Sequence, residues 1–441
     1  MKSISDSLLL DEPQPEPANP PIYPRLGSPR LWEPMHYCDG QPFELFARMR
    51  EEAPVMWCDM GKKYAGFWSV TGYDAVREIE LNTEVFSSQL GSINMLNPPR
   101  SEWRHARLIE ASMNSLINLD PPIHTSARLQ QNKFFIPRYV DTLREKVSRR
   151  IDELLDDLER NGPVVDFAKL FSERLPLYTL CEMLGVDEQD RPRIIRWMHY
   201  LEKSMAFTRR PIRTFFSEPT LPFRFAPAMS EMFDYGEQVM ADRRRNPRED
   251  LLTAIAQSEL EGEQYEGSFL DGSWLLIIFA GNDTTRNSLS GAMRLLTEFP
   301  DQRQLLLDDP SLLDNMVNEA LRLVSPVIHM RRTATCDTEY LGQRIAKNEK
   351  MILWYGAANR DPRVFPQPDT MDILRPNVEK HVAFGHGPHR CLGSRVAQMQ
   401  LRLAISKILE RFPDIAWTGE QKVAPNSFVH AISQLKVNLY G

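Results

Sequence analysis

Cys391 is the residue around which a reactive centre is easiest to build. It closes the run Phe384-Gly385-His386-Gly387-Pro388-His389-Arg390-Cys391-Leu392-Gly393, at the mouth of a helical stretch. The positive end of a helix dipole and nearby backbone N–H groups favour a thiolate there, the form of cysteine that binds metal. Gly385 and Gly387 permit tight turns ahead of it, and Gly393 lets a flat ligand approach the helix closely. His386 and His389 bring zinc into consideration, but no CxxC or HExxH supplies further ligands. Arg390 stands where a dinucleotide fingerprint needs its third glycine. No CxxCH occurs, which excludes covalent attachment of a c-type haem. A buried structural cysteine is the plain alternative.

Three other groups of residues invite a chemical reading. Ala280-Gly281-Asn282-Asp283-Thr284-Thr285 falls in the middle of an apolar helical run. Glycine there costs about 1 kcal/mol against alanine, and Asp and Thr are also poor helix formers. Thr284 can bond back to the carbonyl of Ala280 and loosen the ladder, and Gly281 leaves room for a small ligand. Glu319 and Arg322 stand three apart, and His124 and Arg128 four apart, so each pair shares a helix face. Taken singly, these are also what a kinked helix, a surface ion pair and a solvated polar face look like.

The elements that must position these residues are mostly helical. Leu143, Val147, Ile151, Leu154 and Leu158 mark a helix over 140–159, stopped by Asn161-Gly162-Pro163. Ser268 to Phe299 forms a helix of about thirty residues, on the order of 45 Å long, ended by Pro300. An apolar helix of that length runs through a core. Shorter helices are expected at 42–49, 73–81, 176–184 and 190–205, and one after Cys391 extends to Phe412. Short β-like runs occur at 55–58, 67–70 and 327–353. Residues 86–119 read as a long irregular loop, and 359–377 as a proline-rich irregular segment. Residues 12–34 are crowded with proline and read as an extended or loosely ordered arm. The proline- and aromatic-rich stretch 209–229 reads as a mobile cover over an apolar site. The fold class is mainly α with a minor β part, without internal repeats.

The cysteine loop resembles the haem-binding loop of cytochromes P450, and the rest of the chain follows that family's order over roughly residues 35 to 440. Asp283-Thr284 resembles its acid–alcohol pair, and Glu319-Ala320-Leu321-Arg322 its ExxR motif. The resemblance implies a cytochrome P450 fold, with haem b (iron protoporphyrin IX) between the central helix and the helix after the cysteine. Residues 1–34 would be an arm and 35–441 one catalytic domain. It implies Cys391 as axial iron ligand, Phe384 and Gly393 beside the haem, and His124, Arg128, Arg332 and His389 as propionate partners. Arg331 stands next to Arg332 and competes for that role. Thr284 would steady dioxygen at the iron and Asp283 relay protons, while Glu319 and Arg322 would form a buried pair with Arg375. Pocket walls would come from Leu96, Met205, Phe207, Ile277, Ala280, Val327, Ile328 and Val429.

The totals agree with an enzyme of that class. The chain has 441 residues with 53 Lys and Arg against 60 Asp and Glu, a net charge of −7 that does not suit nucleic-acid binding. Its five scattered cysteines form no disulfide framework and suit a reducing compartment. No run is long enough for a signal peptide core or a membrane span, so the expectation is a soluble, cytoplasmic monomer. No flavin or iron–sulfur module is recognisable, so electrons from NAD(P)H would arrive through a separate reductase and ferredoxin, with O2 as co-substrate. Arg390, Arg395 and Lys133 would offer such a donor a basic patch. The substrate would be lipophilic: terpenoid, steroid, alkane or fatty-acid-like. A peroxide-driven peroxygenase and a non-catalytic haem protein remain as alternatives.

Overall fold

The structure is a computed structural model that describes residues 16–26, 30–60, 65–93, 95, 106–209, 221–260 and 262–441; the side chains of 202–209, 221–222 and 260 lie outside that description. Its helices are α1 (Phe43–Glu52), α2 (Tyr73–Leu81), α3 (Ala106–Met113), α4 (Ile123–Asn132), α5 (Pro137–Arg160), α6 (Arg174–Leu184), α7 (Arg191–Arg209), α8 (Leu221–Arg245), α9 (Leu251–Ala256), α10 (Ser268–Glu298), α11 (Pro300–Asp308), α12 (Leu313–Val324), α13 (Tyr355–Ala358) and α14 (Ser394–Arg411). The chain divides into two units: one holds Pro98–Leu143 and Leu177–Asn282, the other Leu10–Asn97, Arg144–Pro176 and Asp283–Gly441. The division falls inside α5, α6 and α10. No described helix is long and apolar enough to cross a membrane.

In the first unit, α8 packs on α10 through a glycine: a Cβ on Gly236 would lie 2.6 Å from the Trp274 ring. Trp274 is fully buried and donates its indole N–H to the Met232 carbonyl at 3.0 Å. The start of α10 also takes α3 at close range, because a Cβ on Gly272 would lie 2.5 Å from the Ala111 carbonyl oxygen. Arg107 of α3 grips Asp271 with two N–H groups, at 2.7 and 3.1 Å, and reaches Asp234 at 3.1 Å. Residues 106–113 are therefore helical, where the breakers around them suggested an irregular loop. The stretch read as a cover is also partly regular. Leu221 to Met229 begins α8, with Pro222 in the first turn, where its missing N–H costs nothing, and Pro227 inside. Residues 210–220 lie outside the described residues.

The second unit is built on a five-stranded sheet. The described strands are β1 (Val55–Cys58), β2 (Phe67–Val70), β3 (Phe86–Ser87), β4 (Val164–Asp166), β5 (Glu259–Leu260), β6 (Glu263–Gln264), β7 (His329–Ala334), β8 (Thr338–Tyr340), β9 (Gln343–Ile345), β10 (Lys350–Trp354), β11 (Ala416–Ala424) and β12 (Ala431–Asn438), and the sheet has the order β1-β2-β10-β7-β3. Val55–Cys58 and Met351–Trp354 read as unbroken apolar runs because both faces of the sheet are covered. Val55, Trp57, Trp68, Val70, Met351 and Leu353 point to one side, where α2 supplies Tyr73, Val76 and Ile79. Met56, Cys58, Phe67, Ile352 and Trp354 point to the other, against Phe46 and Met49 of α1. The pleat also separates two neighbouring arginines. Arg332 shares the α2 face with Met330 and Ala334, and Arg331 lies on the opposite face with His329 and Thr333. A smaller sheet pairs Ala416–Ala424 with Ala431–Asn438 and the latter with Val164–Asp166.

The proline-rich arm is more firmly placed than its composition suggests. The N–H of Ala18 donates to Glu349 at 2.7 Å, that of Ile22 to Gln343 at 2.8 Å, and the Tyr23 hydroxyl to the Leu341 carbonyl at 2.6 Å. Farther on, Leu31 and Tyr37 are buried in the same cluster as Phe46 and Trp354, so packing runs unbroken through position 34.

Candidate active site

Cys391 lies in a loop that the second unit braces from two directions. Its N–H donates to the Phe384 carbonyl at 2.7 Å, which closes the turn and leaves the thiol side of the residue exposed. Gly393 caps α14, and a Cβ there would meet nothing nearer than the Cys391 Sγ at 4.0 Å. Gly385 and Gly387 have φ of +69° and +65°, a left-handed backbone that other residues adopt at a cost. His389 sits in the short turn Gly387–His389. His386 faces Arg77 of α2 at 3.4 Å, and burial, Arg77 and Arg390 lower its pKa. His386, His389 and Cys391 form no zinc site: among the described residues no three His, Cys, Asp or Glu side chains could hold one ion.

The first brace is a buried charge cluster. Glu319, fully buried, accepts from Arg322 at 2.7 and 2.8 Å, from Arg375 at 3.0 Å and from the Asp372 N–H at 3.0 Å. Arg322 also donates to the carbonyls of Asn359, Pro368 and Thr370, and Arg375 to those of Pro366, Gln367 and Thr370. Two guanidiniums on one carboxylate thus tie down the irregular chain that leads into the cysteine loop. Asn359 continues the connection, donating to Ser325 at 2.8 Å and accepting from the Val382 N–H at 2.7 Å.

The second brace was not anticipated from the sequence. Glu80 of α2, 1% exposed, accepts from the His386 N–H at 2.7 Å, from Arg332 at 3.1 Å and from the Tyr355 hydroxyl. Burial raises the pKa of Glu80, and Arg332, Tyr355 and the His386 N–H pull it back. A signal for it was present: Tyr73, Val76, Ile79 and Glu80 fall on one helical stripe, and a carboxylate there needs a buried partner. Arg332 is thereby committed to Glu80, while its Nε is buried and has no hydrogen-bond partner among the described residues. Arg331, on the other face, donates to Thr333 at 3.1 Å and packs so closely on Gly91 that a Cβ there would overlap it.

α10 carries the remaining chemistry. Trp274 and Ile278 before it, and Leu289 and Ala292 after it, are buried, yet Ala280 and Gly281 are exposed. Among the described residues, a Cβ on Gly281 would find only Leu180, at 3.6 Å. Asp283 is buried and faces Arg286 at 3.4 Å. Asn287 and Ser288 donate to the carbonyls of Asp283 and Thr284 at 2.7 and 2.8 Å. In the first unit, α4 presents a buried His124 and a half-buried Arg128. Among the expected pocket residues, Ile277 is half-buried, and Val327 and Val429 pair in a β-bridge. Ile328 is taken up by the core. Leu96 lies outside the described residues, as do the side chains of Met205 and Phe207 on α7.

Within the second unit, an exposed thiol at a helix start and a buried arginine with an N–H to spare suit a flat metal macrocycle bearing carboxylates. Comparison with known proteins agrees. The family profile described as Cytochrome P450 matches residues 303–435. Linalool 8-monooxygenase of Pseudomonas putida is 33% identical over 414 residues, covering 93% of this chain and 98% of that one. A methyl-branched lipid omega-hydroxylase of Mycobacterium bovis is 31% identical, covering 89% of this chain and 90% of that one. A Mycobacterium marinum cytochrome P450 solved in complex with pseudoionone is 30% identical with a TM-score of 0.82, covering 96% of this chain and 99% of that one. Identity of that order over nearly the whole length, with the helical fold and the cysteine loop, places this chain in the cytochrome P450 family.

Proposed function

We propose that the protein is a haem-thiolate monooxygenase that inserts one oxygen atom of O2 into a C–H bond of a lipophilic small molecule. The observation that carries this is the Cys391 thiol, exposed on a loop that two buried ion clusters hold in place. Haem held there by the Cys391 thiolate would supply the redox chemistry of dioxygen. The chain's own residues position it and move protons. Cys391 would ligate the iron, with Phe384 and Gly393 alongside. His124, Arg128, His389 and the unused N–H of Arg332 would hold the propionates, as charge-assisted bonds. Asp283 would bring a proton to the face opened at Ala280 and Gly281, where Thr284 offers a hydroxyl. Residues 35–441 would act as one catalytic domain.

The relatives named for linalool and methyl-branched lipids, and the pseudoionone complex, support a terpenoid or branched-chain lipid as substrate over a polar one. Ile277, Val327 and Val429 would supply apolar wall. Electrons would come from a small ferredoxin and its reductase, docking by charge on the exposed Arg390 and Arg395, with Lys133 assisting. The decisive experiment is the absorption spectrum of the reduced, CO-bound protein, with a thiolate signature expected. Its absence from haem-loaded protein would overturn the reading. Spin-state titration with terpenoids, steroids, fatty acids and alkanes then sorts the substrates. A reduction rate that ignores salt and the reversal of Arg390 and Arg395 to glutamate would remove the ferredoxin proposal.

A further inference from the structure

We propose that Glu80 is the positioning residue of the cysteine loop, setting the turn ahead of Cys391 and coupling it to Arg332. The inference rests on the haem-thiolate reading above. Three donors from three parts of the chain meet on this carboxylate: the Tyr355 hydroxyl where β10 ends, the Arg332 guanidinium on β7, and the His386 N–H in the loop. All but the loop are held on the α2 face of the sheet, so Glu80 ties the loop to the sheet.

The loop is shaped to meet it. His386 lies between two left-handed glycines, which turns its N–H down onto Glu80. A Cβ on Gly385 would come within 3.4 Å of the Tyr355 hydroxyl and 3.6 Å of the Glu80 Oε1, and one on Gly387 within 3.0 Å of the Glu80 carbonyl oxygen. Both glycines therefore rest directly on the residues of the cluster. If only stability were at stake, apolar side chains would fill this place as well or better, since buried ion pairs gain little over them. A buried carboxylate is needed where a backbone N–H must be held in one direction. Five residues after that N–H, in the same loop, the Cys391 N–H is bound to Phe384. The Arg332 fork is divided by the same carboxylate: one Nη serves Glu80, the other the Arg331 carbonyl, and Nε is left for a further anion. Glu80 thus fixes the heading of the thiol and of that N–H together.

The test is Glu80→Gln in the full haem-loaded chain beside wild type. The readouts are the CO spectrum of the reduced protein and the rate of haem transfer to excess apomyoglobin. An amide has one acceptor oxygen: at the Oε1 position it keeps Arg332 and Tyr355 but turns an N–H onto the His386 N–H, and at the Oε2 position it keeps the loop but turns an N–H onto Arg332. The expected result is a thiol-type fraction in the CO spectrum and haem release roughly 10- to 100-fold faster, the loss of a hydrogen bond to a charged group. Tyr355→Phe, which leaves the ion pair and the loop contact in place, should release haem faster by less than about tenfold. Glu80→Gln with both readouts as in wild type, even with a lower melting temperature, overturns the proposal, because a counter-ion for Arg332 alone would behave that way. Where Glu80→Gln does not fold, an unchanged haem release in Tyr355→Phe overturns it instead. Wild-type protein without a thiolate signature overturns the reading beneath, and this inference with it.

Discussion

Removing the Glu319 carboxylate tests how far the cysteine loop depends on the buried cluster behind it. Glu319→Ala takes away the acceptor of three guanidinium N–H groups and of the Asp372 N–H. Arg322 and Arg375, 0% and 4% exposed, keep their carbonyl partners but lose their only close counter-charge among the described residues. Breaking a buried pair costs about 3–5 kcal/mol, and with two cations stranded the upper end applies. Against a native stability of about 5–15 kcal/mol, that is a third or more of the total. The loss falls on the segment 359–375, whose carbonyls the two arginines gather, and the Val382 N–H hangs from the same Asn359. The expectation is protein with little or no haem, measured as haem absorbance per chain, and a lowered melting temperature. Arg322→Lys keeps a charge but not the two-pronged contact, and should fall between the two. Glu319→Ala with normal haem content would refute the reasoning.

Other consequences can be measured separately. Burial, then Arg390 and Arg322, lower the pKa of His381 to about 3, and its neutral ring accepts from the Ala383 N–H at 3.2 Å. The unfolded chain takes up this proton below about pH 6.5 and the folded one does not, so stability falls with pH from there towards 3, by about 1.4 kcal/mol per unit. His381→Gln should show a shallower fall in melting temperature between pH 6.5 and 4, and parallel curves would contradict this. Asp283→Asn should slow product formation about 100-fold, the usual worth of a positioned proton donor, with substrate spin-state titrations unchanged; undiminished turnover would remove Asp283 from proton delivery. Gly272→Ala forces a Cβ to 2.5 Å from backbone, so α3 must shift, at about 1–3 kcal/mol. A melting temperature equal to wild type would show that this contact yields freely.

The parts legible in the sequence are those whose information is local. The α2 boundaries coincide with the apolar spacing between Gly72 and Asn82, and Leu143, Val147, Ile151, Leu154 and Leu158 are all buried along α5. Glu319 and Arg322 drew attention through their spacing, and Arg375 through the order of motifs. Less legible was anything decided by a distant partner. Glu80 reads as one more glutamate in Arg77-Glu78-Ile79-Glu80 until its three donors are in view. Arg331 and Arg332 cannot be told apart in sequence, since only the pleat of β7 and its neighbours give them different faces. The regular structure at 106–113 and 221–229 was hidden by prolines and asparagines nearby, although proline in a first turn is compatible with a helix. Composition suggested an arm at residues 12–34 but not that Ala18, Ile22 and Tyr23 have fixed partners.

Those partners set a timetable for synthesis. Ala18 waits for Glu349, 331 residues later, and Ile22 for Gln343, 321 residues later. β2 likewise has no inner neighbour until β10 has been made, because the two pair in parallel across most of the chain. At about 5–20 residues per second, translation leaves the arm and the first two strands without these partners for roughly 15 to 65 s. The sheet that carries Arg332 and Tyr355 is therefore completed late on the ribosome. The arm closes over the hairpin at 338–345 only after that hairpin exists, so Ala18, Ile22 and Tyr23 are made early and find their partners late.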